Sequence, residues 1–238
     1  MTKLTELLTS GCDELELKLN TQQEKQFLSY LAFLQEKSKV VNLTAIHEAE
    51  DIIIKHFLDS LTVARFIEGE SSLLDVGTGA GFPGVPLKIY YPALKLTLLD
   101  SLQKRIAFLQ ELADILALKD IEFLHGRAEE YGSKDGYREK FAYVVSRAVA
   151  DLRVLAEYCL PFVEVGGAFL ALKGPSSQEE LKTAQKALKI LGGEIEKIES
   201  FNLPLREDQR NLIIIRKAFS TPQKYPRRAG MPQKKPLC

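Results

Sequence analysis

The chain has no tryptophan, two methionines and only three cysteines. Cys12, Cys159 and Cys238 are far apart and form no CxxC pair, which argues against a disulfide framework and against a zinc site; no metal is expected. There is no run of eighteen apolar residues to span a bilayer, and Met1-Thr2-Lys3-Leu4-Thr5-Glu6 is followed by no signal-peptide apolar block, so a cytoplasmic address is the expectation. Net charge is also lacking, with 32 Lys+Arg against 32 Asp+Glu; no overall field draws in a polyanion. What is present is 238 residues, 45% apolar and 27% charged, enough for one or two folded domains and incompatible with disorder as the dominant state.

The charges are segregated. After Asp208 there is no acid, while Arg210, Arg216, Lys217, Lys224, Arg227, Arg228, Lys234 and Lys235 follow. The last stretch interleaves these cations with Pro222, Pro226, Pro232 and Pro236. A basic, proline-rich end on an acidic body reads as an extended arm for a polyanion, unpaired until that partner orders it.

Residues 1–70 read as helical. Thr21-Gln22-Gln23-Glu24 resembles a capping box, and Phe27, Leu28, Leu31 and Leu34 follow at helical spacing. A second long helix is expected from about Glu48 to Glu68, with Ile53, Phe57, Leu61 and Ala64 on one face and His56, Asp59 and Ser60 close together. From Ser71 the period changes to short apolar runs ending near Val76, Asp100, Leu124, Val145 and Leu172, separated by helical stretches at about 103–118, 151–160 and 178–191. Alternation of this kind closes as an α/β, doubly wound, mostly parallel sheet. Two further strands at 194–201 and 211–217 are expected to pair as an antiparallel edge hairpin. The division is thus a helical region 1–70, an α/β domain 71–219 and a basic tail 220–238.

Chemistry enters at Asp75-Val76-Gly77-Thr78-Gly79-Ala80-Gly81-Phe82-Pro83-Gly84. A glycine turn after the first strand brings backbone close to a ligand, and the helix behind it is expected to offer unpaired amides. Gly77, Gly79 and Gly81 give one register; Gly79, Gly81 and Gly84 give the dinucleotide spacing GxGxxG. Asp75 at the strand end suits a cationic ligand such as S-adenosylmethionine, which carries a sulfonium and no phosphate. Asp100, ending the next strand, can accept from both ribose hydroxyls of either cofactor. Further on, Gly126-Arg127-Ala128-Glu129 can read an adenine edge, Arg147 stands at the crevice mouth, and Lys173 belongs to the same rim.

The acceptor is constrained by absences. Methyl transfer to a pyrimidine carbon requires a cysteine nucleophile, and no cysteine sits at a strand end; Cys159 reads as a small core residue. Val145-Ser146-Arg147-Ala148 is not the Asn/Asp-Pro-Pro-aromatic loop that serves exocyclic adenine amines. A ring nitrogen such as guanine N7 needs only alignment. His47 and His56 are the candidate bases, with a histidine bonded to a neighbouring carboxylate as the commoner arrangement.

The segments VNLTAI (41–46), KHFLDSL (55–61), LLDVGTGAGFPGVPLKI (73–89), DSLQKR (100–105), RAEE (127–130), SRAVA (146–150) and KYPRRAGMPQKKPL (224–237) together resemble the RsmG (GidB) family. The resemblance implies a Rossmann-like class I methyltransferase that uses S-adenosylmethionine to methylate N7 of a guanine in the 530 loop of 16S ribosomal RNA, free or in a small-subunit particle. It implies cofactor contacts at Gly77, Gly79, Phe82, Asp100, Ala128, Glu129 and Arg147, and transfers no single catalytic residue. Lys173, Lys224, Arg227 and Arg228 are the expected RNA contacts. An NAD-dependent oxidoreductase using the other glycine register, and a non-enzymatic RNA-binding protein, are the alternatives.

Overall fold

The computed structural model describes residues 2–147, 150–175 and 177–237; Ala148 and Val149 of the SRAVA segment, and Cys238, lie outside them. The chain opens with α1 (Thr2–Glu14) and α2 (Thr21–Ser38). Asn20 caps α2: its side chain accepts from the Gln23 amide, and the Gln23 side chain accepts from the Asn20 amide, each at 2.9 Å. The capping box therefore lies one residue earlier than the Thr21–Glu24 reading, because the asparagine side chain reaches the third helical amide equally well. Gln23 Nε2 also donates to the carbonyls of Ile89 and Tyr90, pinning α2 to that distant segment.

The expected helix from Glu48 to Glu68 is broken into pieces. After α3 (Ala49–Ile52) comes a π-helical segment Ile53–Leu58, then α4 (Asp59–Leu61) and a 3-10 turn Ala64–Phe66. Ile53, Phe57, Leu61 and Ala64 are all buried, so the apolar stripe holds. The wider π turn changes the angular register within it, a distortion that often accompanies functional side chains.

The α/β part runs β1 (Ser72–Val76), α5 (Gly84–Tyr90), β2 (Lys95–Asp100), α6 (Gln103–Ile115), β3 (Ile121–His125), α7 (Ala128–Tyr131), β4 (Phe141–Arg147), α8 (Leu152–Cys159), β5 (Val163–Lys173), α9 (Ser177–Leu191), β6 (Gly193–Asn202) and β7 (Gln209–Lys217). The seven strands lie in the order β3-β2-β1-β4-β5-β7-β6. β1 to β5 are parallel, while β7 is antiparallel to both β5 and β6. Neighbouring residues on a strand face opposite sides of the sheet. Leu73, Leu98, Val145, Leu170 and Ile214 accordingly join the cluster made with α1, α2, α5 and α6, whereas Leu74, Leu99, Val144, Phe169 and Ile213 join the one made with α8 and α9. The N-terminal helices thus share one apolar cluster with a face of the sheet.

The tail departs most from expectation. It is docked, not extended and unpaired. Thr221, Tyr225, Pro226 and Pro232 are buried, and a short helix, α10 (Met231–Lys234), packs on α8. Arg138 donates to the carbonyls of Thr221 and Tyr225. Arg227 forks onto Glu157, a fully buried carboxylate on α8, at 2.5–3.1 Å. No helix among the described residues is long and apolar enough to cross a membrane.

Candidate active site

Parallel strands leave a crevice outside their carboxyl ends where the strand order reverses, here between β1 and β4. The glycine turn fills it, with Gly77, Gly79 and Gly81 at φ of +73°, +62° and +102°, a region that side chains other than glycine rarely tolerate. Gly84 is required for space instead: a Cβ there would sit 2.8 Å from Leu98 Cδ2 and 2.9 Å from Asp75 Oδ2.

Two expectations about this turn are corrected. Asp75 does not face the crevice; it is fully buried, and its Oδ2 accepts from Thr78 Oγ1 (2.8 Å) and the Gly84 amide (2.9 Å). Burial raises its carboxyl to about 6, against the pull of those two donors. It clamps the turn from inside. Nor are most of the amides free. Gly77 and Thr78 donate to Leu99 O, Gly79 donates to Asp100 Oδ2, Gly81 and Phe82 donate to Thr78 O, and Gly84 donates to Asp75. A pyrophosphate needs several unpaired amides to hold it, and six of this turn's are already committed within the protein.

Two adjoining cavities follow the strand ends. The smaller, about 190 Å³, is lined by Val76, Gly77, Leu99, Asp100, Ser101, Gly126, Arg127, Ala128, Glu129, Ala150, Tyr158 and Gln233. The larger, about 400 Å³, is lined by Leu43, Thr44, His56, Gly77 to Ala80, Phe82, Asp100, Ser101, Arg105 and Arg147. They share Gly77, Asp100 and Ser101, and together fall within the roughly 300–1,000 Å³ of small-molecule sites. The geometry brings Gly77, Gly79, Phe82, Asp100, Ala128, Glu129 and Arg147 onto these walls. Asp100 both faces the cavities and holds the turn: Oδ1 accepts from the Leu102 amide, and Oδ2 accepts from Gly79 and from Arg105. Glu129 Oε1 accepts from the Gly230 amide of the tail at 2.8 Å.

Arg147 is less open than a residue at a crevice mouth. Its side chain is 15% exposed and donates from Nη1 to Asp59 Oδ2 (2.8 Å) and Lys55 O (3.0 Å), with Nη2 3.1 Å from His56 Nδ1. Arg210 on β7 approaches the other Asp59 oxygen at 3.4 Å. His56 is therefore not bonded to a carboxylate; Arg147 stands between them. His56 Nδ1 lies 3.1 Å from Arg147 Nη2, which only donates, and 3.1 Å from Lys55 O, which only accepts, while Nε2 pairs with Thr44 Oγ1 at 2.7 Å. Burial and the Arg147 charge push the imidazole down to about 3. The ring stacks on Phe82 at 4.5 Å, and Arg147 lies over the same ring at 5.0 Å. His47 is exposed and lies elsewhere, beside Gln35.

The expected RNA contacts divide. Lys224 and Arg228 are exposed. Lys173 is committed to Glu180 and Ala150 O, each at 2.6 Å, and Arg227 to Glu157, because both lie against elements that present a carboxylate to them. Four wall residues were missed in the sequence: Thr44, Arg105, Tyr158 and Gln233. Thr44, Arg105 and Gln233 fall inside the family-like segments, which was the available signal; Tyr158 had none.

This sheet order, glycine turn and double cavity define the class as Rossmann-like methyltransferases. TYW2 of P. horikoshii, solved in complex with MeSAdo, has a TM-score of 0.55 at 12% identity, covering 68% of this chain and 62% of that one. Precorrin-6y C5,15-methyltransferase of Geobacter metallireducens has 0.52 at 12%, covering 74% and 90%. These likenesses are of fold. The family follows from sequence: the model of GidB, rRNA small subunit methyltransferase G, matches residues 23–213, and the chain belongs to that family. The ribosomal RNA small subunit methyltransferase G of Acetivibrio thermocellus is 52% identical over 236 residues, 99% of this chain and 97% of the relative. That of Alkaliphilus metalliredigens is 49% identical over 233 residues, 97% and 98%.

Proposed function

We propose that this protein binds S-adenosylmethionine across the paired cavities and methylates N7 of a guanine in the 530 loop of 16S ribosomal RNA, free or in a small-subunit particle, in the cytoplasm. The observation that carries this is the convergence of the seven expected contact positions on two joined cavities beside a turn whose amides are internally paired. That pairing disfavours the phosphate site the oxidoreductase alternative needs. In this reading residues 71–219 hold the cofactor, and residues 1–70 supply Thr44 and His56 to the larger cavity.

The donor set fits the cofactor. Asp100 Oδ1 accepts one protein hydrogen bond, which leaves a lone pair for a ribose hydroxyl, and Ala128 and Glu129 line the smaller cavity where an adenine would lie. When bound, the sulfonium supplies an electrophilic methyl carbon. The chain's task is alignment: guanine N7 attacks with its own lone pair and releases no proton. His56 is placed as a wall, since both ring nitrogens are engaged by protein partners and its pKa near 3 makes it a poor base. Asp59 neutralises Arg147, so the larger cavity does not oppose a base that becomes cationic. Lys224 and Arg228, with the exposed Lys234 and Lys235, are assigned to RNA phosphates.

Calorimetry with S-adenosylhomocysteine and with NAD tests the cofactor; binding of NAD alone would overturn it. Mapping of N7-methylguanosine in ribosomal RNA from cells with and without the protein tests acceptor and position.

A further inference from the structure

The C-terminal segment has two faces. Arg227, Tyr225 and Pro232 turn inward, while Lys224, Arg228, Lys234 and Lys235 turn to solvent. The inward anchors lie on the elements that wall the smaller cavity. Arg227 is held by Glu157, next to Tyr158 on α8, and Gly230 N–H is held by Glu129 on α7. Gly230 adopts φ +80° with open space around its Cβ position, so the left-handed backbone alone demands glycine there. The turn starts α10, and Gln233 on α10 lines the cavity together with Glu129, Ala128 and Tyr158.

We propose that the tail is a wall of the cofactor site, and that Gln233 reads the adenine ring. This rests on the cofactor reading above. A side-chain amide presents a donor and an acceptor side by side, the complement of the exocyclic N6–H donor and adjacent ring-nitrogen acceptor of adenine. The neighbouring carboxylate, Glu129, is already engaged through Oε1 by the tail backbone. The basic outer face and the cofactor-facing inner face then belong to one docked segment, so the tail serves both ligands and is not an RNA arm alone.

The test uses full-length protein and two probes, S-adenosylhomocysteine and S-nebularylhomocysteine, in which hydrogen replaces the 6-amino group; a carbonyl there would let the glutamine amide rotate and pair again. Gln233 is exposed, so Gln233→Ala leaves the fold intact. Loss of a neutral hydrogen bond weakens binding by about 3- to 10-fold; that loss is expected for S-adenosylhomocysteine, with the nebularine analogue changed less than about 2-fold. Truncation after Ser220 is expected to weaken S-adenosylhomocysteine at least as much, with folding checked by circular dichroism. Equal weakening of both probes by Gln233→Ala overturns the base-reading assignment, and unchanged affinity in both variants overturns the wall altogether. If wild-type protein binds neither probe, the cofactor reading falls and this proposal with it; if it binds and Gln233→Ala alone matches it, only the Gln233 assignment falls.

Discussion

Replacing Arg147 by alanine should cost stability as well as activity. The side chain joins β4 to the π-helical segment through Asp59, Lys55 O and His56, and both charges are largely out of water, 15% exposed for Arg147 and 6% for Asp59. Breaking a fully buried pair costs about 3–5 kcal/mol, mostly because the remaining charge is stranded. Arg210 still stands 3.4 Å from Asp59 and is itself 25% exposed, so part of that cost is relieved and about 2–3 kcal/mol remains. For a chain of this size that is a fall in Tm of roughly 5–10 °C. Arg147→Lys keeps one ion pair but cannot reach three acceptors at once, and should lose about 1 kcal/mol. Arg147→Ala combined with Asp59→Asn should be more stable than the sum of the single changes by about 1 kcal/mol or more. Urea unfolding of the four proteins measures this. A coupling below about 0.5 kcal/mol, or an alanine variant melting with wild type, would refute the bridge as the element that fixes this wall.

The pH response follows from two buried groups of opposite sense. His56 titrates near 6.5 unfolded and about 3 folded, so the unfolded chain binds the extra proton and stability declines as pH falls from about 6.5 towards 3. Asp75 titrates near 3.8 unfolded and about 6 folded, so the folded chain binds the extra proton and stability rises as pH falls from about 6 to 4. The two slopes oppose each other, and His56→Gln should gain about 1–3 kcal/mol relative to wild type between pH 6 and 4; parallel pH–stability curves would contradict the His56 assignment. Gly79→Ala, at φ +62° with no side chain crowding it, should cost about 1 kcal/mol. Gly81→Ala, whose Cβ would fall 2.7 Å from Tyr30 Oη and 2.8 Å from Val85 Cγ2 at φ +102°, should cost about 3 kcal/mol; similar melting of the two variants would show that the turn relaxes. Neutralising Lys224, Arg228, Lys234 and Lys235 together should reduce the salt slope of RNA binding by about 3, while Arg227→Met leaves that slope unchanged. A quadruple variant with the wild-type slope would move the RNA contact elsewhere.

The strands were legible because buried parallel strands are short, uninterrupted apolar runs, and β1, β2 and β4 end within two residues of the expected places. Helix boundaries were less so. The cap of α2 moved from Thr21 to Asn20, and the helix after Glu48 acquired a π segment, because local pattern cannot register an extra residue in a turn when the apolar stripe survives it. Charged residues misled most. Lys173 read as a rim cation from its place at a strand end and Arg227 as an arm cation from the run of bases, but whether a cation is free depends on which carboxylate the fold sets beside it: Glu180 across the turn into α9 for Lys173, and the sequence-distant Glu157 for Arg227.

The chain's own order of residues determined the alternation of strand and helix, the glycine turn and the acid ending the next strand, since these depend on period and on backbone freedom at single positions. Tertiary structure alone decided the rest. It turned Asp75 inward, paired the turn's amides, set Arg147 between His56 and Asp59, and folded a basic tail back onto the cavity. The Arg147 bridge and the docked tail are hydrogen bonds and ion pairs between segments distant in sequence, whose partners are chosen by packing; Asp75 and the turn's amides find partners partly within the turn itself, but only the closed turn sets them in reach.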